Sequence, residues 1–207
     1  MTPAHYFDDD PSVRSSPIQV EVNLPDVALQ LTSDRGVFSS GNLDAGTKLL
    51  LLEAPPLAET DLTVLDLGCG WGPITCVVAK RAPQAHVWAV DVNQRARSLT
   101  VANASAIGAD DRVTVIAPDD LPPEIRFDRI LSNPPIRIGK QALHELLGLW
   151  LGRLTPTGVA HLVVQRHLGS DSLAAWLERE GHRVDRLKSR AGYRILEVGP
   201  SSGEPRS

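Results

Sequence analysis

The sequence predicts an α/β protein with a seven-stranded, mostly parallel sheet, and two patterns lead to that fold class. From residue 62 onward, apolar strand segments alternate with helical segments, which is typical of a parallel sheet covered by helices on both faces. The last two strand segments, 182–187 and 193–198, have no helix between them. Because so short a gap cannot hold a right-handed crossover, we expect these two strands to pair antiparallel.

The predicted elements follow one another in a regular order. Residues 17–31 alternate apolar and polar side chains around Asn23-Leu24-Pro25-Asp26, which indicates a β-hairpin. Further strands are predicted over 63–67, 87–90, 113–116, 127–131 and 159–164, and helices over 73–81, 94–107, 140–154 and 172–180. We therefore divide the chain into a β-rich N-terminal cap (1–45), an α/β domain (46–199) and a polar, disordered tail (200–207).

Composition excludes several classes of protein. With 207 residues, 42% of them apolar and 22% charged, the chain is typical of globular proteins. The longest apolar run near its start, 49–52, is far shorter than the roughly 20 residues of a membrane helix, and an acidic run at 8–10 stands where a secretory signal would be basic. We expect a cytoplasmic protein without membrane association. Cys69 and Cys76 lack metal-binding spacing, so neither a disulfide nor a metal site is expected.

Charge is distributed unevenly along the chain. Residues 1–120 carry 8 Lys/Arg against 16 Asp/Glu, net −8, whereas residues 121–207 carry 13 against 9, net +4. The densest basic run comprises Arg179, His182, Arg183, Arg186, Lys188, Arg190 and Arg194. Such a run is either a solvated face or a surface that contacts phosphates, and we take it as the candidate RNA-facing surface.

A glycine-rich turn follows the first strand of the α/β domain. The segment Asp66-Leu67-Gly68-Cys69-Gly70-Trp71-Gly72-Pro73 lies where a parallel strand leads into a helix, at the sheet edge that binds ligands in open α/β folds. Its G-x-G-x-G spacing differs from the dinucleotide-binding and P-loop motifs, which disfavours hydride transfer and nucleotide hydrolysis. A purely structural turn is the alternative.

Acidic residues end the next two strands. Asp91 ends the second strand and is suited to accept both hydroxyls of a ribose, since Asn93 is available as the cap of the following helix. Asp119, after the third strand, could accept from an adenine amine, or it could be a solvated loop acid. Together these strand ends outline an adenosine site.

The fourth strand ends at Ser132-Asn133-Pro134-Pro135-Ile136. Proline locks φ and extends the preceding residue, so the backbone is rigid there. The side-chain oxygen of Asn133 and the Pro134 carbonyl, free of any local helix, could then both accept from one planar amine and draw its lone pair toward an electrophilic methyl group. The alternative is a motif that only stops a strand.

These residues resemble a known family, the S-adenosylmethionine-dependent "small domain" methyltransferases that act on exocyclic amines. More narrowly, three segments resemble the branch similar to small-subunit ribosomal RNA methyltransferase C, a guanine-N2 enzyme: Gly36 to Thr47, Asn133 to Lys140, and Gly192-Tyr193-Arg194. The resemblance runs from about residue 5 to residue 198. It implies a class I, Rossmann-like methyltransferase fold with S-adenosylmethionine as cofactor.

Carried over residue by residue, the resemblance assigns three groups of candidate residues. Cofactor binding falls to Asp66 near the amino group, Gly68, Gly70 and Gly72 along the methionine part, Asp91 at the ribose, Asp119 (with Asp120 as substitute) at the adenine amine, and Asp44, Gly46 and Thr47 closing the pocket. The catalytic turn is Asn133, Pro134, Pro135 and Ile136, and the candidate substrate-binding residues are Phe38, Arg137, Lys140 and Tyr193. Ile136 departs from the aromatic residue of many relatives, so Phe38 or Tyr193 is the candidate for the missing stacking ring.

The predicted function is methyl transfer to the N2 amine of a guanine, with ribosomal RNA or the small ribosomal subunit as partner. A protein glutamine or the N6 amine of adenine is the alternative substrate. A non-catalytic RNA-binding module that has kept the fold is a further alternative, from another class of protein.

Overall fold

The computed structural model describes residues 13–201. It contains nine strands and five α-helices in that range, joined in places by short 3-10 turns. The strands are β1 (Ile18–Asn23), β2 (Ala28–Ser33), β3 (Thr63–Leu67), β4 (His86–Val90), β5 (Val113–Ile116), β6 (Phe127–Ser132), β7 (Leu154–Gln165), β8 (His182–Arg190) and β9 (Tyr193–Ser201). The helices are α1 (Ala45–Glu53), α2 (Pro73–Arg81), α3 (Gln94–Ala106), α4 (Lys140–Leu151) and α5 (Ser170–Arg179).

The main sheet has seven strands in the order β5-β4-β3-β6-β7-β9-β8. The strands from β5 to β7 pair in parallel, and β9 lies antiparallel between β7 and β8. The predicted fold class is therefore confirmed, including the antiparallel pairing of the last two strands. Because β3 and β6 are adjacent, the glycine turn after β3 and the Asn-Pro-Pro turn after β6 meet at the same sheet edge.

Two apolar cores cover the two faces of this sheet. Consecutive β3 residues face opposite sides: Val64 belongs to the core under α1, α2 and the hairpin, whereas Leu65 belongs to the core under α4 and α5. Both residues are fully buried, as expected for a strand covered by helices on both faces. No helix within residues 13–201 is long and apolar enough to cross a membrane.

Several elements differ from the sequence prediction, among them β7, which begins at Leu154 and not at 159. The structure adds helix α1, where only an apolar run was recognised. Helix α4 ends at Leu151, three residues early, because β7 already begins at Leu154. Strand β9 extends to Ser201, so the first two residues of the predicted tail belong to the sheet, and 202–207 lie outside the described residues, as does the acidic run at 8–10.

The predicted N-terminal hairpin forms a separate two-stranded sheet, β1-β2, closed by a hydrogen bond from Leu24 N to Val27 O. One buried amide on α3, that of Asn103, attaches the hairpin to the rest of the molecule. Its oxygen accepts from Thr32 N at 2.8 Å, and its nitrogen donates to Thr32 O at 2.8 Å and to Trp71 O at 2.7 Å. The same side chain thus contacts both the hairpin and the glycine turn.

A buried ionic cluster lies among the sheet residues away from these turns. Arg129 on β6 donates to Asp61 at 2.6 Å, and its second terminal nitrogen is 3.2 Å from Nδ1 of His161. His161 in turn lies 2.9 Å from Glu197 through Nε2. Burial is the main cause that lowers the pKa of His161, followed by the neighbouring guanidinium. Since Arg129 is nearly fully buried, this cluster contributes to the fold rather than to a solvent-facing site.

Candidate functional site

The glycine turn requires a backbone that side chains disfavour. Gly68, Gly70 and Gly72 have φ of 76°, 57° and 88°, all in the left-handed region where only glycine is unstrained. The amides of Gly68 and Cys69 donate to Val90 O at 2.8 and 3.0 Å, which fixes the turn against the end of β4. Pro73 then occupies the first helical position of α2, as expected from its locked φ.

Asp91 follows β4 and connects two parts of the site. It accepts from Gly70 N and from Asn93 N, both at 2.9 Å. Burial raises the pKa of this carboxyl, opposed by these two amides. Asn93 caps α3 by accepting from Ala96 N at 3.1 Å, which confirms its predicted role as the cap, whereas the ribose-binding role of Asp91 stays a prediction.

Asp66 on β3 is fully buried beneath the turn. Its Oδ2 accepts from the backbone N and the hydroxyl of Thr75 at 2.9 and 2.6 Å, whereas its Oδ1 is buried with no hydrogen-bond partner in the described part of the chain. Desolvation raises the pKa of Asp66 to about 7. An unpaired buried acceptor is costly, so Oδ1 is suited to a donor supplied by a ligand.

A cavity of about 280 Å³ opens beside these residues. One wall is the glycine turn with the segment Val90 to Asn93, the facing wall is Pro135 with Leu146 and Trp150, and the outer wall is Gly36 to Phe38. Asn93 also donates from Nδ2 to Gly36 O at 3.0 Å, which holds the outer wall to α3. Gly68, Gly70 and Asp91 therefore lie together at one cavity, whereas Gly72 and Asp66 do not line it.

Two cavity walls include residues that were not predicted from the sequence. Trp150 is buried, as expected of a core residue, but it also lines the cavity, and its indole nitrogen lacks a partner among the described residues. In the outer wall, Phe38 is a predicted substrate-binding residue, whereas Gly36 and Val37 have no predicted role of their own. No local signal places them beside the glycine turn, since the hydrogen bond from Asn93 that holds Gly36 spans 57 residues.

The acidic turn after β5 is farther from the cavity than expected. Pro118 lines the cavity, but Asp119 and Asp120 are exposed on the 3-10 turn Pro118–Asp120 and are absent from the lining. Their assignment to an adenine amine stays a prediction.

Asn133 is held by the start of α1. Its Nδ2 donates to Asp44 Oδ1 at 2.7 Å and lies 3.1 Å from the hydroxyl oxygen of Thr47. Asp44 Oδ1 also caps α1 by accepting from Gly46 N and Thr47 N at 2.8 and 3.0 Å. Because a carboxylate only accepts, the amide of Asn133 must present its NH₂ group to Asp44, which leaves the side-chain oxygen for another donor.

The Pro134 carbonyl is less free than expected. It accepts from Ile136 N at 2.9 Å across Pro135, whose φ of −74° and ψ of 77° define an inverse γ-turn. No helix within residues 13–201 uses this carbonyl, but the γ-turn that engages it was not predicted. A carbonyl oxygen has two lone pairs, so one remains available to a ligand.

Asp44, Gly46 and Thr47 do not line the cavity; they contact Asn133 or Tyr193 instead. A Cβ on Gly46 would lie 2.7 Å from Cε1 of Tyr193, so the tyrosine ring packs directly on this glycine. The hydroxyl of Tyr193 accepts from Gln165 at 2.8 Å. The cofactor-binding role assigned to the α1 start stays a prediction that this placement does not favour.

The remaining candidates differ in their relation to the cavity. Phe38 lines the cavity and is 51% exposed, so of the two candidate rings it is the one at the cavity. Ile136 is half-buried against the core under α4, and Arg137 and Lys140 are exposed.

The basic run on α5, β8 and β9 is largely neutralised by acids. Arg183 pairs with Glu197 and Asp185, at 3.3 and 3.4 Å. Further pairs join Arg186 to Glu178 and Asp171, Arg190 to Glu53, and Arg194 to Asp171. His182 is buried and lies 2.8 Å from Gly199 O. This pairing on an edge strand favours the alternative of a solvated face.

Comparisons with known proteins agree with this architecture. The methyltransferase small domain family matches residues 28–197. The chain is 33% identical over 200 residues to the Bacillus subtilis protein YbxB, covering 94% of this chain and 97% of that protein. It is 35% identical over 145 residues to ribosomal RNA small subunit methyltransferase C of Shewanella halifaxensis, covering 67% of this chain and 41% of the relative.

A solved structure shares the fold. The Thermus thermophilus 16S rRNA N2 methyltransferase RsmC, in complex with AdoMet and guanosine, superposes with a TM-score of 0.71 at 24% identity, over 92% of this chain and 52% of that one. The fold and the site thus define a class I methyltransferase. The chain belongs to the methyltransferase small domain family, which confirms the predicted family. It spans less than half the length of the Shewanella relative and nearly all of YbxB.

Proposed function

We propose that the protein transfers the methyl group of S-adenosylmethionine to the N2 amine of a guanine in small-subunit ribosomal RNA. The single observation that carries this proposal is the orientation of Asn133, whose NH₂ group is held by Asp44 at 2.7 Å so that its oxygen is left to accept from an amine. The names of the Shewanella and Thermus relatives support the choice of ribosomal RNA.

The residues present fit the cofactor. The positive-φ glycines allow a close approach of the backbone, Asp91 offers a carboxylate at the cavity wall, and the buried Oδ1 of Asp66 lacks a donor that an ammonium group would supply. When bound, S-adenosylmethionine supplies an electrophilic methyl group on a sulfonium.

The protein's own contribution is to orient the amine. Asn133 Oδ1 and the second lone pair of the Pro134 carbonyl would accept the two N–H groups of the amine and reduce the delocalisation of its lone pair. A carbon–sulfur bond breaks as a carbon–nitrogen bond forms, and one amine proton leaves through these acceptors to solvent. No strong general base is required, because the methylated nitrogen is positively charged and acidic.

Asp44 has a separate role in this proposal as a positioning residue. It contacts Asn133 and the first turn of α1, and it does not line the cavity. Phe38 is the proposed stacking ring for the base, in place of an aromatic residue at Ile136. Because the proposed substrate is ribosomal RNA, we expect the protein to act in the cytoplasm.

The test is transfer of labelled methyl from S-adenosylmethionine to small ribosomal subunits and to naked small-subunit RNA. We expect labelled N2-methylguanosine after nucleoside digestion, and at least a hundredfold slower transfer by Asn133→Ala, since the loss of a positioning acceptor costs on the order of 3 kcal/mol. Calorimetry provides the control, because Asn133→Ala should still bind the cofactor.

Other outcomes would select the alternatives. Label in protein glutamine or in N6-methyladenosine would replace the guanine substrate. Equal labelling by Asn133→Ala would contradict the mechanism, and RNA binding without cofactor binding would indicate a non-catalytic module.

A further inference from the structure

We propose that RNA is bound by a basic patch on the two turns that follow β6 and β7, formed by Arg137, Lys140, Arg166 and His167, and not by the basic run on β8. This inference rests on the proposed function and names the surface through which the substrate is held. The ligand chemistry is the phosphate backbone of RNA.

The patch lies at the sheet edge that carries Asn133. Arg137 is in the 3-10 turn Ile136–Ile138 directly after the Asn-Pro-Pro turn, and Lys140 begins α4. Arg166 and His167 are in the 3-10 turn Arg166–Leu168 that follows β7. Because β6 and β7 are parallel neighbours, both turns leave the sheet at the same edge.

Contacts between neighbouring side chains hold the second turn close to the catalytic amide. Gln165, immediately before Arg166, donates to the hydroxyl of Tyr193, whose ring packs on Gly46 in the cap that holds Asn133. The backbone N of Arg166 donates to Gly192 O at 2.8 Å, which fixes the turn itself.

The register gives the height of the patch above the catalytic amide. Ser132 on β6 pairs with Leu162 on β7, so Arg166 lies four residues beyond this level and Asn133 only one. At a rise of roughly 3.3 Å per residue, Arg166 stands about 10 Å farther out than Asn133. A nucleotide whose base reaches Asn133 has its phosphates on the outer side, at the level of this turn.

The charges of the patch are not neutralised within the described residues. All four side chains are exposed, and between residues 13 and 201 none of them forms an ion pair. The acid nearest in sequence to Arg166 and His167, Asp171, is engaged by Arg194 and Arg186. The acid nearest after Lys140, Glu145, accepts from Gln141 at 2.9 Å. By contrast, four arginines of the basic run already pair with carboxylates, so phosphate contacts there would have to displace an existing partner.

The test compares two triple variants that remove the same charge. The patch variant is Arg137→Gln/Lys140→Gln/Arg166→Gln, and the matched control is Arg183→Gln/Arg186→Gln/Arg190→Gln, three arginines of the basic run that pair with carboxylates. Binding of unmodified small-subunit RNA is measured by fluorescence anisotropy over a salt series, and cofactor binding by calorimetry verifies that each variant is folded.

Each phosphate contact contributes about 0.7–0.9 to the slope of log K against log salt, so the patch variant should lower that slope by about 2–3 and weaken binding about tenfold or more at 0.1 M salt. The control should keep the wild-type slope. The single variant Arg166→Gln should lower the slope by about 1 and gives a second test on one side chain.

Failure of this inference is distinguishable from failure of the proposed function. If wild type binds and methylates RNA but the patch variant keeps its slope, or the control loses it instead, the patch assignment is overturned. If wild type binds the cofactor but neither binds nor methylates RNA, the proposed substrate is wrong, and the patch inference is overturned with it.

Discussion

The contact between Asp44 and Asn133 predicts that substitutions at Asp44 can change the methyl-transfer rate and the stability of the protein independently. Asp44 Oδ1 accepts three hydrogen bonds: two from the backbone of α1 at 2.8 and 3.0 Å and one from Asn133 at 2.7 Å. The first two form a helix cap, worth about 0.5–2 kcal/mol of protein stability. The third is a hydrogen bond to a charged group, worth about 1.5–3 kcal/mol, and it fixes the catalytic amide.

Three substitutions at Asp44 divide these contributions. Asp44→Ala removes both, so we expect a loss of at least about 1 kcal/mol in the free energy of unfolding from the cap alone and a roughly 10- to 150-fold fall in kcat. Asp44→Ser keeps a capping oxygen, so the cap's contribution to stability should return. Because the serine side chain is one atom shorter, it does not reach Asn133, and kcat should stay low. Asp44→Asn keeps an acceptor of the same length and should recover most of both.

The measurements are urea unfolding, single-turnover methyl transfer to small-subunit RNA, and calorimetry with S-adenosylmethionine. Because Asp44 is not at the cavity, cofactor affinity should remain within about twofold of wild type in all three variants. Wild-type kcat in Asp44→Ser would refute the positioning role. A fall in cofactor affinity that accounts for the lost activity would refute it too, and would restore the cofactor-binding role implied by the family resemblance.

Three further predictions concern the fold around the site. Burial raises the pKa of Asp66 from 3.8 to about 7, so between these pH values the folded state binds more protons than the unfolded state. The contribution of Asp66 to the free energy of unfolding therefore falls as pH rises from about 4 to 7. Asp66→Asn should gain stability relative to wild type over that pH range and no further above it, which unfolding curves measured across pH would show. Gly72→Ala should cost more stability than Gly70→Ala, because the new Cβ at position 72 would lie 3.0 Å from the Thr100 side chain, whereas the one at position 70 meets nothing within 4 Å. Each variant should lose about 1 kcal/mol or more in the free energy of urea unfolding, since both glycines have positive φ. Equal losses would contradict the packing argument. Arg129→Ala should destabilise the protein by about 3–5 kcal/mol, since it leaves the nearly buried carboxylate of Asp61 without its ion-pair partner. A fall in Tm of less than a few degrees would show that the ionic cluster relaxes instead.

The sheet could be predicted from sequence because its signals are local. Alternating apolar segments, glycines after β3 and the missing helix before β9 each lie within a few residues of the element they define. Helix α1 was missed although Asp44 is a good capping residue, because its apolar run 49–52 has no helical period that separates a buried face from an exposed one.

The site was predictable only in part, because its decisive contacts are long-range. Asp91 and the glycines lie near one another in the chain, so their shared cavity follows from the order of strands. Asn133 and Asp44 are 89 residues apart, and nothing in either segment indicates that one carboxylate both caps a helix and orients the amide. The γ-turn that engages the Pro134 carbonyl depends on the ψ of Pro135, which proline does not fix.

The amide of Asn103 limits how freely the parts of this chain can be exchanged. A two-stranded ribbon is marginally stable by itself, and here both backbone groups of Thr32 depend on a side chain from α3. The same amide supports Trp71 between the glycines, so grafting another ribbon onto this scaffold succeeds only if the donor carries a backbone that matches Asn103. In chimeras joined at the loop before α1, the geometry of the glycine turn should therefore depend on Asn103 of α3 and not on the transplanted ribbon.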